Sequence, residues 1–280
     1  MQGRSPGDAS GDMTSSDPVG PLQLLRANWD APAHVKTFNT TRLGGVSKPP
    51  FNSLNLGLHV KDDREAVLKN RLLLKEAESL PGEPHWLNQV HGCNVHQLKS
   101  EGSLVNSNSG EPIVKADAAF TDQIDKVLCV VTADCLPVAI TNAKGTKLCV
   151  AHAGWKGLAN GVLEASMANF EGDDLLHVWF GPAIGPACFE VGVEVRDAFV
   201  SLNAAHDRSF AMHPTNPQKR FANIYGLAQR TIESYLAKSN ATAKFSGGTW
   251  CTVSDAARFH SYRRDGAKSG RMALVAWLGS

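Results

Sequence analysis

Three short segments of the sequence place a cysteine or a histidine at the end of an apolar run, next to glycine or near proline. These segments, 89–92, 134–137 and 152–155, contain His91, Cys135 and His152. A residue at the end of a strand can project into a pocket. Thiolate sulfur and imidazole nitrogen are donors that suit Zn²⁺ or copper. These residue types therefore predict a candidate metal site.

Cys135 and His152 flank two apolar segments, 136–141 and 147–151, which are separated by the turn sequence Asn-Ala-Lys-Gly. This pattern predicts a β-hairpin. An antiparallel hairpin brings its open ends within about 5 Å of each other, so Cys135 and His152 should lie side by side. His91 has no such local partner in the sequence.

Three protein ligands leave a fourth position on the metal open, which is the pattern of a catalytic site rather than a structural one. Two other interpretations fit the same residues. One is a buried cysteine with two ordinary hydrogen-bonded histidines. The other is a nucleophilic dyad of Cys135 with either histidine. The spacing contains no compact zinc motif, so it leaves all three open.

Three further residues are candidates for binding a substrate or for a buried polar role. Arg42, close to a glycine pair, could bind phosphate or carboxylate bidentately, although these residues alone favour a plain surface turn. Arg263 follows Tyr262 and precedes Arg264, so it could bind an anion or belong to a solvated Arg–Asp turn. Asn55 lies within an apolar stretch and must find hydrogen-bond partners.

Composition excludes several classes of protein. The 280 residues carry a net charge of +1, which gives no basis for nucleic-acid binding. No stretch approaches the roughly 18 apolar residues of a membrane helix, and the N-terminus lacks the pattern of a signal peptide. The six cysteines form no Cys-x-x-Cys motif, which indicates reduced thiols and a cytoplasmic location.

The elements that must position these residues follow from local patterns. Residues 1–21 are rich in Gly, Ser, Asp and Pro and predict a disordered leader, so the folded domain spans 22–280. Asp62 has the spacing of an N-cap for the first helix. Apolar periodicity predicts helices over 64–80, 158–170, 194–202 and 222–238. Runs of β-branched and apolar residues predict strands over 34–40, 127–132, 136–141, 147–151, 177–180, 249–253 and 271–278.

Strands and helices alternate, yet the central strands are connected by hairpins. This combination favours an α/β (mixed α+β) fold, a single compact domain with mixed β-sheets covered by helices. The Gly-x-Gly-x-x-Gly and P-loop motifs are absent, which argues against the nucleotide-binding folds that carry them.

Taken in order, several motifs resemble one known family. They are residues 59–74, WLNQVHG (86–92), TADCLP (132–137), AHAGWKG (151–157), GPAIGP (181–186) and SYRRD (261–265). The resemblance extends from about residue 35 to 278 and is to the YfiH family. This family is also called the polyphenol-oxidase or laccase-domain family.

The resemblance implies a zinc ion held by His91, Cys135 and His152, and it places Arg42, Asn55 and Arg263 near the pocket. It also implies phosphorolysis of the purine nucleosides adenosine, inosine, guanosine and S-methyl-5'-thioadenosine, together with deamination of adenosine. Purine nucleosides and phosphate would then be the partners, and the chain would be a monomer or a homodimer. An older assignment in the family is a copper-dependent polyphenol oxidase.

The residue content of the chain bears on three chemistries: copper-dependent oxidation, deamination and phosphorolysis. A trinuclear copper cluster plus a blue-copper site needs about a dozen ligands, mostly histidines in His-x-His pairs. The chain has ten histidines, and none of them forms such a pair. A single copper at the zinc site remains an alternative ion. A three-ligand zinc can activate water for deamination, with Asp134 and Glu190 as candidates for proton transfer. Arg42 and Arg263 would form the phosphate cradle for phosphorolysis.

Two rival functions stay open. One is hydrolysis of a small amide-linked metabolite, in which either a zinc-activated water or the Cys135 thiolate attacks the carbonyl. The other is a non-enzymatic protein that binds a partner and uses zinc as a structural ion.

Overall fold

Apolar segments between residues 127 and 153 form strands that are buried on both faces, at the centre of the molecule. The structure is a computed structural model that describes residues 20–99 and 114–280. The predicted leader over 1–21 therefore lies, up to residue 19, outside the described residues. The described strands are β1 Leu24–Arg26, β2 Val35–Thr40, β3 Val95–Leu98, β4 Ala118–Thr121, β5 Leu128–Thr132, β6 Leu136–Asn142, β7 Leu148–Ala153, β8 Leu175–Phe180, β9 Glu190–Gly192, β10 Phe210–Met212, β11 Lys219–Ala222, β12 Thr242–Gly247 and β13 Met272–Leu278.

The helices cover these strands. They are α1 Arg64–Ala77, α2 Trp155–Ala159, α3 Val162–Met167, α4 Val193–Leu202, α5 Ile224–Leu236 and α6 Tyr262–Asp265. Short 3-10 turns follow at Ala168–Phe170, Ala204–Ser209 and Gly266–Lys268. Among the helices described, none is both long enough and apolar enough to cross a membrane.

The described strands form three sheets. A six-stranded sheet has the order β12-β8-β6-β7-β4-β3, with parallel outer pairs and antiparallel inner pairs. A four-stranded antiparallel sheet has the order β1-β2-β13-β5, and a small antiparallel sheet has the order β10-β11-β9. The predicted mixed α/β domain with helix-covered sheets is therefore confirmed.

Three apolar clusters fill the space between the sheets and the helices. Val138 and Ile140 of β6 pack against α3 and α5, whereas Ala139 points to the opposite face of its sheet. There it meets Val130 of β5 and Leu274 of β13, in the core between the two large sheets. The outer face of the four-stranded sheet packs on α1. Both faces of the central strands are thus buried, which explains their nearly continuous apolar sequence.

Three predicted elements differ from the structure. Helix α1 is capped by Asp63, whose side chain accepts from the Glu65 amide, and not by Asp62. The predicted helix over 158–170 is divided because Gly161 has a left-handed φ of 92°. The predicted strand over 249–253 is wrong. The strand is β12, which ends at Gly247, and residue 251 makes an isolated bridge to Ala183.

Candidate metal centre

The β6–β7 hairpin places two of the three candidate ligands. Its register pairs Leu136 with Ala153 and Pro137 with His152. Cys135 immediately precedes β6, and His152 is the penultimate residue of strand β7, so the two residues lie next to each other as predicted. Gly154 follows this hairpin. A Cβ at position 154 would lie 2.8 Å from Cys135 Sγ and 3.1 Å from His91 Cδ2, so a larger residue would intrude on the ligands.

His91 comes from a loop and has a left-handed φ of 59°. A buried carboxylate, Asp117, accepts hydrogen bonds from the backbone N–H groups of Val90, His91 and Gly92 at 3.1, 2.9 and 2.7 Å. The side chain of Gln89 also anchors this loop, because it exchanges two hydrogen bonds with the backbone of Val131 in β5. Together these contacts hold an otherwise irregular segment against the hairpin.

Asp117 also positions the second histidine. Nδ1 of His152 lies 2.8 Å from Asp117 Oδ1, so this ring nitrogen donates to the carboxylate and Nε2 is left to face the centre. Asp117 belongs to no motif that the sequence pattern indicated. The available signal was a lone acid between Ala116 and Ala118, because a buried carboxylate in an apolar run must have partners.

The three ligand groups fit a single ion. One donor atom from each of His91, Cys135 and His152 lies within 4.8 Å of the others, and Cys135 Sγ is 3.8 Å from His91 Nε2. The donor set of one sulfur and two imidazole nitrogens matches the preferences of zinc and copper. This group could therefore hold a metal ion. The structure therefore brings together the three residues that were predicted as metal ligands.

The electrostatics of the group favour a Cys135 thiolate beside a protonated His152, whose proton a metal ion would displace on binding. Burial would raise the pKa of the Cys135 thiol, but the neighbouring His152 and His91 outweigh it and lower that pKa to about 6. Burial would lower the pKa of His152, but Cys135 and Asp117 raise it to about 9. Burial would likewise raise the pKa of Asp117, whereas its hydrogen bonds from His152, Gly92 and Val90 lower it. A thiolate is thus stabilised where a metal would need one.

A cavity of about 470 Å³ adjoins the three ligands. This volume falls within the range of small-molecule sites. The cavity combines apolar rings with two cationic side chains, and its non-ligand walls include His59, Trp155, Phe189, Tyr262, Arg263 and Arg271.

Arg263 lines this cavity. Its Nη1 donates to the carbonyl oxygens of Cys188 and Glu190 at 3.3 and 3.0 Å, and its guanidinium lies 5.7 Å from the centre of the Phe189 ring. Arg271 was not among the predicted site residues, and it lines the same cavity beside Tyr262. Its Nη1 donates to the carbonyl oxygens of Ser269 and Gly270.

Arg42 and Asn55 are not among the residues that line the cavity. Arg42 donates to the carbonyl oxygens of Asn52 and Ala256 at 2.9 and 3.1 Å, so its guanidinium connects two loops. Asn55 is fully buried, donates to Asp62 at 2.9 Å and accepts from the backbone N–H of Arg271 at 2.8 Å. Asn55 therefore supports the backbone of a cavity residue.

The two candidate proton-transfer residues have different surroundings. Asp134 lies on the cavity wall with a left-handed φ of 85°. Its carboxylate accepts from Thr252 Oγ1, Ser261 Oγ and the Arg263 amide at 2.5, 3.0 and 2.5 Å. Glu190 instead forms surface ion pairs outside the cavity lining. It contacts Lys219 Nζ and lies 3.1 Å from His213 Nε2. Lys219 and His213 lower its pKa, chiefly through the Lys219 hydrogen bond.

The fold and the site define a class: a mixed α/β domain with a Cys-His-His group, suited to a metal ion, beside a small-molecule cavity. The model of the family described as "Multi-copper polyphenol oxidoreductase laccase" matches residues 36–279. The chain belongs to this family, which is the one its motifs resemble.

Curated relatives of this chain carry a different functional name. "Purine nucleoside phosphorylase PA4543" of Pseudomonas aeruginosa is 46% identical over 256 residues, covering 91% of this chain and 98% of that protein. "Purine nucleoside phosphorylase YfiH" of Escherichia coli is 41% identical over 259 residues, covering 91% and 99%.

Solved structures show the same fold. The Neisseria meningitidis protein NMB0706 superposes with a TM-score of 0.79 at 39% identity, covering 92% of this chain and 99% of that one. YlmD of Geobacillus stearothermophilus superposes with a TM-score of 0.78 at 28% identity, covering 90% and 96%.

Proposed function

We propose that this chain is a zinc-dependent purine nucleoside phosphorylase that also deaminates adenosine. The observation that carries the proposal is the shared position of the Cys-His-His group and two arginines on one cavity, about 470 Å³ in volume. The names of the curated relatives support the phosphorylase part of the proposal. The nucleoside-processing domain would span 22–280.

The proposed ligands of zinc are His91, Cys135 and His152. When bound, zinc would supply a Lewis acid that acidifies water, which is the chemistry a deaminase needs. The chain's own contribution is orientation. Asp117 holds the ring of His152 and the backbone around His91, so both imidazoles present a defined nitrogen to the ion. A single copper at the same three residues is the alternative ion.

Phosphorolysis requires that a phosphate oxygen bonds to C1' of the nucleoside while the bond from C1' to the base nitrogen breaks. The products are the free base and pentose 1-phosphate. Arg263 lines the cavity, and we assign it with Arg271 to the anion-binding role, since a guanidinium fork can bind phosphate bidentately. Asn55 would support Arg271 by accepting a hydrogen bond from its backbone N–H, and Arg42 would connect the loops at Asn52 and Ala256.

The apolar rings suit the base. Trp155, Phe189 and Tyr262 line the cavity and offer flat surfaces to a purine. Asp134 remains the proposed proton-transfer residue nearest the ligands, although its carboxylate already accepts three hydrogen bonds. Glu190 is a weaker candidate because its carboxylate is engaged with Lys219 and His213 on the surface.

The test is to incubate protein of measured metal content with adenosine, inosine, guanosine and S-methyl-5'-thioadenosine, with and without phosphate. We expect inosine from adenosine in either buffer, and free base from all four nucleosides in phosphate. The same incubation with Cys135→Ala protein should show less bound metal and no inosine. Formation of inosine at the wild-type rate by metal-free Cys135→Ala protein would overturn the role of zinc.

A further inference from the structure

A second thiol cluster lies outside the metal group. The sulfurs of Cys188 and Cys251 each lie 3.3 Å from the hydroxyl oxygen of Ser254, so the two sulfurs are separated by no more than twice that distance. Both cysteines are partly exposed, whereas Cys129 and Cys149 are buried in the core. The three residues therefore form an accessible arrangement of two thiols around one hydroxyl.

Cys251 is the thiol that this arrangement activates. The backbone N–H of Gly185 donates to its sulfur at 3.2 Å, and the Ser254 hydroxyl donates to the same sulfur. Burial raises the pKa of Cys251, but the hydrogen bonds from Ser254, Gly185 and Cys188 outweigh burial and lower that pKa. A thiolate held by such donors is the reactive form of cysteine.

The backbone already joins the two segments that carry these thiols. Residue 251 bridges to Ala183, and the Thr252 amide donates to the carbonyl oxygen of Ala183 at 3.0 Å. Cys188 follows the same GPAIGP loop, where its amide donates to the Gly185 carbonyl. These backbone contacts hold the two segments together before any bond between the sulfurs forms.

We propose that Cys251 is a site of oxidation by hydrogen peroxide and that Cys188 resolves the product as a disulfide. In the first step the Cys251 thiolate attacks a peroxide oxygen, the O–O bond breaks, and Cys251 becomes a sulfenic acid. The departing hydroxide takes up a proton and leaves as water. In the second step the Cys188 sulfur attacks the Cys251 sulfur, and the S–O bond breaks. Its oxygen leaves as a second water with the Cys188 proton. Two thiols are oxidised, and one peroxide is reduced.

This disulfide would connect two segments that shape the cavity. Thr252, next to Cys251, donates to the Asp134 carboxylate, and the Cys188 carbonyl accepts from Arg263. Oxidation would therefore link covalently the loop at Cys188, which binds Arg263, to the segment at 251–252, which binds Asp134. A thiol reductant would reverse the change.

The test uses the full-length protein as purified, treated with hydrogen peroxide at neutral pH and digested without reduction. We expect a linked peptide pair containing Cys188 and Cys251 in the wild type and in the matched control Cys93→Ser, which alters another partly exposed cysteine. In Cys188→Ser protein the resolving thiol is missing, so dimedone, which traps sulfenic acids, should label Cys251.

Ser254→Ala protein provides a test that leaves both thiols in place. Loss of the hydroxyl donor should slow oxidation of Cys251 about tenfold. The proposal is overturned if peroxide links no Cys188–Cys251 peptides in the wild type. It is also overturned if dimedone labels Cys93 in Cys188→Ser protein as fast as Cys251, or if Ser254→Ala protein reacts at the wild-type rate.

Discussion

The carboxylate of Asp117 accepts a hydrogen bond from Nδ1 of His152 at 2.8 Å. The same carboxylate accepts hydrogen bonds from three backbone N–H groups around His91, so one buried residue orients two of the three candidate ligands. Asp117, which immediately precedes β4, thus joins the loop at residue 91 to the β6–β7 hairpin. The metal group forms only when these segments, distant in sequence, pack together.

Replacement of Asp117 should therefore weaken metal binding. In Asp117→Asn protein the amide places N–H donors where the carboxylate accepted hydrogen bonds, so His152 and the loop at 91 lose their fixed orientation. We expect about a 10- to 100-fold loss of zinc affinity, measured by competition with a chelating indicator. The exposed Asp122→Asn is the control and should bind like the wild type. Equal affinity in Asp117→Asn protein would contradict the orienting role.

Gly154 tests how closely the ligands pack. A methyl group at this position would lie 2.8 Å from Cys135 Sγ, whereas the backbone φ of −62° allows alanine. Gly154→Ala should therefore fold and bind zinc about tenfold more weakly, because Cys135 must shift. In the control, Gly82→Ala, the added carbon makes an ordinary 3.4 Å contact. A zinc affinity equal to that of the wild type in Gly154→Ala protein would contradict the proposed coordination of zinc by Cys135 and His91.

The sequence was sufficient to predict the local part of the site. Cys135 and His152 flank one hairpin, whose apolar strands and turn predict its register. His91 was a candidate from its residue type and context alone, and no local pattern placed it beside the hairpin, because its position depends on a loop held by Asp117. Asp117 was missed for the same reason, since all its partners are distant in sequence.

The strand predicted over 249–253 shows a different limit. Its Thr, Trp, Cys and Val residues favour β-structure, but Gly247 and Gly248 have left-handed φ values of 77° and 73°. These residues end β12, and the chain then turns under the cavity, where Thr252 binds Asp134. Tertiary contacts therefore overrode local β-propensity at the segment that supports the site.

Arg263 tests the proposed phosphate cradle. Arg263→Lys keeps a positive charge but removes the planar fork, so the KM for phosphate should rise roughly 10- to 100-fold. Steady-state phosphorolysis of inosine at varied phosphate provides the measurement, with the exposed Arg208→Lys as the control. A KM for phosphate unchanged in Arg263→Lys protein would remove Arg263 from the cradle.

The environment of His260 predicts that the free energy of unfolding depends on pH. It is fully buried, and neither of its ring nitrogens has a hydrogen-bond partner in the described part of the chain. Burial, then the charges of Arg42 and Arg271, lower its pKa to about 3. The unfolded chain therefore binds a proton at this residue between about pH 6.5 and pH 3, whereas the folded chain does not.

The free energy of unfolding should consequently fall as the pH is lowered through this range. The contribution of His260 to the slope is about 1.4 kcal/mol per pH unit well below pH 6.5. Urea unfolding of wild-type and His260→Asn proteins at several pH values measures it, and the variant should show the smaller slope. Identical slopes would show that His260 does not stay neutral in the folded protein.

The most direct test of the proposed phosphorylase activity is the phosphate dependence of base release from inosine by metal-loaded protein. Hypoxanthine and ribose 1-phosphate are quantified together in otherwise matched buffers, with and without phosphate. The proposal predicts that hypoxanthine appears only with phosphate and in equal amount to ribose 1-phosphate. Hypoxanthine released at the same rate without phosphate, accompanied by free ribose, would contradict it.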